Sequence, residues 1–463
     1  MHPLLNYEHN RSRRRHNAVF AIYPVLGDSY GRDMTKHLLL GQTLGFSGNP
    51  LTGNWQDAVQ FDSAGGVLIE HGRIIATGNG AALRGGHPDA AVTDYGNDVI
   101  SAGFVDAHMH YPQTGIIASW GKQLIDWLNT YTFPEESRFG DRAYADQVAG
   151  ETLDLAIAHG TTTLTSFCTS HPESVDAFFE AAAARNMAVI AGKTCMDRNA
   201  PDTLRDTAQS AYDDSKVLLE KWHGKGRAHY AITPRFSPTS TPAQLQALGG
   251  LWAEHPTCLM QTHLSEQLPE IAWVRELFPD ARDYLETYEA YGLLGENGLY
   301  GHAIYLEPRE IDRLKEVGAA VVHCPTSNTF IGSGLFDLMG LAKASLPIGL
   351  ATDTGGGSSF SMLRTMAAAY EIGQLRGTAL HPAQLMWLAT EGSAGALKMT
   401  REIGHLGAGA AADLTILNLQ STPAIRQRAD RAGDMWDALF PTIMMGDDRA
   451  VRDVWIAGVR QAR

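Results

Sequence analysis

The chain has 463 residues, 44% of them apolar, and a formal net charge of −14. That length exceeds the size at which one core usually stops growing, so a large barrel with a smaller appended domain fits it, as do two separate domains. The acidic balance argues against a nucleic-acid backbone as partner, and no apolar run approaches the roughly 20 residues of a membrane-spanning helix.

In chain order, residues 1–16 come first, with Arg11, Arg13, Arg14 and Arg15 and no apolar periodicity. This segment reads as a flexible basic tail. Residues 66–78 read as a strand, a His71-Gly72 turn and a second strand. Eight short apolar or β-branched runs follow, at 99–106, 161–167, 187–194, 228–233, 258–262, 298–301, 319–323 and 347–352. Helical patterns lie between them, among others at 143–158, 175–185, 241–253, 308–317 and 361–374. Strands separated by helices imply a parallel sheet with right-handed crossovers. Eight such units predict an α/β fold of the (β/α)8 TIM-barrel type. Further strands are expected at 413–419 and 451–461. Cys168, Cys195, Cys258 and Cys324 form no C-x-x-C pair and lie in or just after apolar runs, so reduced core thiols in a cytosolic protein are expected.

Barrel active sites lie at the C-terminal ends of the strands, and those ends carry a pattern. The first run leads into His108 and His110, whose spacing places both on one strand face. Two imidazoles so placed can share a metal ion. Arg235 and Phe236 follow the fourth run, His263 and Glu266 the fifth, His302 the sixth and Asp353 the eighth. Each has an ordinary reading alone: His302 as a hydrogen-bonded core residue, Asp353 as a helix cap or turn residue, Arg235 as half of a surface ion pair. Their joint placement at one predicted rim points to a site.

The chain resembles the amidohydrolase superfamily, and within it the members that deaminate guanine. The resemblance lies in Gly103-Phe-Val-Asp-Ala-His-Met-His-Tyr-Pro-Gln-Thr114, Trp127-Leu-Asn-Thr-Tyr-Thr-Phe-Pro-Glu135, Met196-Asp-Arg-Asn-Ala-Pro201 and Thr233-Pro-Arg-Phe-Ser237. It continues in Thr262-His-Leu-Ser-Glu266, His323-Cys-Pro-Thr-Ser-Asn328 and Ala351-Thr-Asp-Thr-Gly-Gly356. It implies one divalent metal per chain, held by His108, His110, His263 and Asp353. Zn2+ suits these donors, and Fe2+ takes the same set. Two-metal members bridge their ions with a carboxylated lysine at the end of strand four. Here that position is Arg235, which forms no carbamate, and Lys193 lies on the third run.

The resemblance also implies the chemistry. Glu266, His302 and Asp353 are the expected catalytic residues. Asp353 takes a proton from the attacking water, Glu266 carries one to the ring nitrogen, and His302 orients the nucleophile. Gln113, Arg235, Phe236, His263, Glu266 and Asp353 are expected to contact a purine, guanine, that is hydrolysed to xanthine and ammonia. Gln113 offers a donor and an acceptor, and Arg235 a planar donor fork. The stretch 111–139, with Trp120, Trp127, Tyr131 and Phe133, is a candidate mouth for this site, its aromatics otherwise packing the insertion against the barrel. Residues 17–101 and 408–463 are expected to build a composite β-sandwich domain around a barrel over 102–407. A cytoplasmic homodimer is the expected form. Two other classes stay open: a hydrolase of another heterocycle, such as a modified guanine, a pterin or a triazine, and a non-catalytic scaffold on the same fold.

Overall fold

The computed structural model describes residues 36–121 and 123–462; the expected basic tail lies outside them. Sixteen strands are found among the described residues: β1 (His37–Phe46), β2 (Val59–Glu70), β3 (Arg73–Asn79), β4 (Ala91–Ala102), β5 (Phe104–His110), β6 (Thr161–Phe167), β7 (Ala188–Gly192), β8 (Thr194–Cys195), β9 (Ala228–Pro234), β10 (Leu259–Leu264), β11 (Gly298–His302), β12 (Ala320–His323), β13 (Ile348–Leu350), β14 (Leu414–Leu417), β15 (Val451–Ile456) and β16 (Val459–Arg460).

Eight parallel strands form the barrel in the order β13-β12-β11-β10-β9-β7-β6-β5, with the two-residue β8 beside β9. Backbone bonds close the ring: Asp353 N donates to His108 O at 2.9 Å and His110 N to Thr354 O at 2.6 Å. The buried Asp106 side chain adds to this seam, accepting from Thr352 N at 3.0 Å and from Thr352 Oγ1 at 2.5 Å. Helices follow the strands where the apolar periodicity places them. The one over Pro308–Val317 starts with proline in its first turn and a reciprocal Glu307–Glu310 cap. It ends at Gly318, whose φ of 74° is the left-handed conformation that favours glycine at a helix terminus.

The second sheet is built from both ends of the described chain, in the order β16-β15-β14-β4-β1-β2-β3. The second β layer expected from the two termini takes the form of one continuous seven-stranded ladder. β1 carries irregularities near Gly41, of the kind that bend a strand. The β2–β3 turn has positive φ at both His71 (51°) and Gly72 (73°), as a tight hairpin requires. The first apolar run is divided between the sheets, contrary to its reading as one strand. Val99 to Ala102 ends β4, and the barrel begins at Phe104. Gly103 is the crossing point, and a Cβ there would lie 2.1 Å from Thr162 Oγ1. No larger residue fits where the chain passes so close to its neighbour.

A bulge in β5 sets the barrel interior. Val105 and Ala107 belong to the inner core with Ala188, Ile190, Ala231, Leu299 and Val322, whereas Phe104 and Met109 pack in the outer one beneath the helices. The register between Asp106 and Met109 advances one residue further than its partner between Leu164 and Ser166. One extra residue reverses the alternation. His108 and His110 therefore follow Ala107 onto the inner face, while Asp106 points out to the seam.

The two sheets are joined by a buried ion pair. Arg227, just before β9, donates from Nη1 to Asp413 Oδ1 at 3.0 Å and to Asn186 O at 2.9 Å. Its Nη2 also bonds Asp413 Oδ2. Asp413 accepts in addition from Ala457 N at 2.8 Å. Breaking a buried pair leaves an uncompensated charge and typically costs about 3–5 kcal/mol. Asp413→Ala is expected to lower the urea midpoint accordingly, measured against Asp94→Ala on the exposed part of β4 as control; equal midpoints would remove this pair from the joint.

Candidate active site

The predicted rim residues come together in one place. A cavity enclosing about 420 Å³ opens at the C-terminal ends of the barrel strands, lined by His110, Gln113, Arg235, Phe236, His263, Glu266, His302 and Asp353. Trp127, Leu124, Leu128 and Ile331 supply its apolar wall. His108 lies behind His110, 1% exposed.

At the floor, four side chains point at one space. His110 Nε2 is 3.2 Å from His263 Nε2. Asp353 Oδ1 is 3.4 Å from both His108 Nε2 and His110 Nε2. His108 Nε2 is buried and has no hydrogen bond of acceptable geometry. The ring nitrogens of His108, His110 and His263 lie within 4.8 Å of one another. Burial, reinforced by the neighbouring imidazoles, holds His110 and His263 well below the ordinary histidine range, so both offer lone pairs. Burial alone would raise Asp353, but the His108 ring and the charge at His302 outweigh it and bring the carboxyl down to about 2. Neutral imidazoles and an ionised carboxylate around a buried, unpartnered nitrogen fit a divalent cation. Cys324, expected as a core thiol, also comes within reach of His108, His302 and Asp353. Burial pushes its thiol well above the usual range, which disfavours the ligating thiolate.

Surrounding bonds orient these groups. His263 Nδ1 lies 2.8 Å from the Arg235 carbonyl, which only accepts, so the proton sits on Nδ1 and Nε2 faces the floor. His302 Nδ1 donates likewise to Asn328 Oδ1 at 2.9 Å. Its Nε2 then lies 3.5 Å from Glu266 Oε2 and 3.7 Å from Asp353 Oδ2. Glu266 accepts from Ser333 Oγ at 2.6 Å, and its backbone N donates to Glu270 at 2.9 Å. Burial raises the Glu266 carboxyl above its ordinary range despite the opposing pull of His302 and Ser333. Burial lowers His302 in turn, but the carboxylates of Glu266 and Asp353 more than reverse it. Gly301 is required by the close packing of this floor, because a Cβ there would stand 2.9 Å from His108 Cε1.

The wall carries a polar trio. Arg235 Nη1 donates to Glu136 Oε2 at 2.8 Å, and Gln113 Nε2 donates to Glu136 Oε1 at 2.8 Å. Phe133 lies beneath the guanidinium, 5.5 Å from its carbon to the ring centroid. The aromatics of 111–139 divide: Trp127 lines the cavity, Phe133 backs the wall, Tyr131 bonds the Trp120 carbonyl, and Trp120 is 85% exposed. Lys193 points away from the floor onto Asp206, at 2.6 Å. Sequence reasoning missed Glu136, Asn328 and Ser333. Asn328 closes a motif that sequence reading singles out, and Glu136 directly follows another. Nothing local distinguishes Glu136 from Glu135, which turns outward to Tyr144 and Arg138.

Comparison with known proteins agrees with this geometry. The model of the Amidohydrolase family matches residues 99–460. The chain is 42% identical to the guanine deaminase of Escherichia coli (strain K12) over 402 residues, 87% of this chain and 92% of that protein. A solved structure of E. coli guanine deaminase superposes with a TM-score of 0.90 at 40% identity, covering 92% of this chain and 99% of the other. The guanine deaminase of C. acetobutylicum, solved with guanine bound in its active site, gives 0.83 at 26% identity over 92% of this chain and 100% of the other. By sequence, by fold and by the residues at its barrel rim, the chain belongs to the amidohydrolase family, in the group of the guanine deaminases.

Proposed function

We propose that the chain catalyses hydrolytic deamination of guanine to xanthine and ammonia, with one divalent ion held by His108, His110, His263 and Asp353. The convergence of three imidazoles and a carboxylate beneath the Gln113–Arg235 wall carries this reading. Zn2+ is the ion this donor set suits best, and Fe2+ is the other candidate. Such an ion, when bound, supplies a nucleophilic water at neutral pH by lowering its pKa to about 7.

The chain's own residues do the rest. Arg235 and Gln113 grip the edge of the purine, and Phe236, 3% exposed beside His263, packs against it. Attack of water at C2 makes a tetrahedral carbon, and the adjacent ring nitrogen must gain a proton. Asp353, ionised at neutral pH, accepts the proton of the attacking water. Glu266, whose proton affinity burial raises, delivers one to the ring. His302, fixed by Asn328, holds the attacking oxygen in line. Asp353 then passes its proton to the C2 amino group, the C2 hydroxyl returns its own to Glu266, and ammonia leaves as the C2 carbonyl of xanthine forms.

In this reading a composite domain drawn from 17–101 and 408–463, of which 17–35 and 463 lie outside the described residues, flanks the barrel, and the boundary expected at 102 moves to Gly103 because Ala102 ends β4. Four buried free thiols support a reducing compartment, hence the cytoplasm. A homodimer, the expected form of the family, is testable by light scattering.

Three outcomes test the chemistry. The purified chain should release ammonia from guanine and bind one ion, and His108→Ala or His263→Ala should lose both metal and activity; two ions per active chain would overturn the mononuclear site. Glu266→Gln should keep its metal and still bind purine, while kcat falls by about 10²-fold or more, the scale of general acid–base catalysis. Guanine should be strongly preferred to adenine, since guanidinium donors would face the adenine amino donor in a dry pocket. Equal turnover of adenine would refute this account of the wall.

A further inference from the structure

Glu136 lies behind the cavity wall, 1% exposed, and contributes no atom to the cavity lining. It touches both residues of the polar edge. Oε1 accepts from Gln113 Nε2 and Oε2 from Arg235 Nη1, each at 2.8 Å. An amide can be turned either way, and its orientation is decided by its partners. A carboxylate paired with a guanidinium has only acceptors. If Gln113 turned its carbonyl toward Glu136, two acceptors would face each other at hydrogen-bond distance in a buried site.

We infer that Glu136 is a positioning residue that sets the hydrogen-bond polarity of the pocket. It holds the Gln113 amide with NH2 outward and carbonyl toward the cavity, while Arg235 can bring only donors. The wall thus presents an acceptor beside a donor fork. A ligand must match it with a ring N–H beside a carbonyl oxygen, as guanine and hypoxanthine do at N1 and C6. Adenine presents the reverse order, a ring acceptor beside an amino donor. The inference rests on the guanine reading and extends it: selectivity is set by a residue that the substrate does not touch.

The test is a carboxylate swap. In Glu136→Gln the new amide must give its carbonyl to Arg235, which has no other use for it than as an acceptor. Its NH2 then faces residue 113, so Gln113 turns its own carbonyl inward and exposes a donor to the cavity. Guanine kcat/KM should fall by about 10- to 100-fold, the scale of one buried hydrogen-bond mismatch, with the change mainly in KM. Gln113→Glu alone places two carboxylates against one guanidinium and should also be impaired. In the double variant Glu136→Gln/Gln113→Glu, one oxygen at 113 accepts from the new amide and the other faces the cavity. It should exceed both single variants by about 10-fold, with metal content unchanged throughout. A merely structural role for Glu136 gives additive losses, and a double variant worse than either single one would overturn the inference. Where the double variant does not fold, Glu136→Gln alone still decides: its preference for unreactive hypoxanthine over adenine as inhibitor should fall by about 10-fold relative to the wild type, and an unchanged ratio would overturn the inference. Absence of ammonia release from guanine by the metal-loaded wild type would instead remove the underlying reading, so the two failures are distinct.

Discussion

Closure of the barrel is the constraint on which the site depends. His108 and His110 stand on the first barrel strand and Asp353 follows the last, 243 residues further along the chain than His110. They meet only because a (β/α)8 sheet returns to its first strand. The seam is sealed by backbone bonds at the very residues in question, His108 O to Asp353 N and His110 N to Thr354 O, and by Asp106 beneath them. A slip of this seam by one residue would turn the carboxylate away from the histidines. The same bonds therefore stabilise the fold and build the floor of the cavity.

Burial then does chemical work with these groups. Removing water holds His110 and His263 neutral and lifts Glu266 toward a proton-carrying range, while the facing carboxylates of Glu266 and Asp353 outweigh burial at His302 and raise it above its ordinary range. Each charge in this dry space has a partner: Arg235 has Glu136, and His302 has Glu266 and Asp353. Burying charges is costly unless they are paired and hydrogen-bonded. The rim is also strained. His302, Ala303, Ser265 and Asp353 have φ of 65°, 48°, 49° and 48°, a left-handed conformation uncommon for residues with a side chain. Such strain gathers where side chains must be held at a functional site, and here it falls on two of the catalytic candidates, His302 and Asp353, on Ala303 beside the first, and on Ser265 beside Glu266.

Much of this protein was determined by its sequence alone. Local periodicity is enough to show strand and helix, so 161–167 and 308–317 coincide with β6 and with the helix Pro308–Val317. The rim residues were legible because each lies within three residues of the C-terminal end of a strand, and a parallel barrel puts all such ends on one side. Tertiary structure decided what local pattern does not encode. Gly103 divides one apolar run between two sheets because it abuts Thr162, a contact between strands distant in sequence. The bulge in β5 exists only relative to the register of β6. Glu136 was hidden beside Glu135 because two adjacent acids in a non-repeating helical segment have no periodicity to separate them. Only the position of Arg235, 99 residues away, shows which of the two turns inward. A hydrogen bond between distant residues has no signature in either local sequence, and it is that class of contact which orients the site.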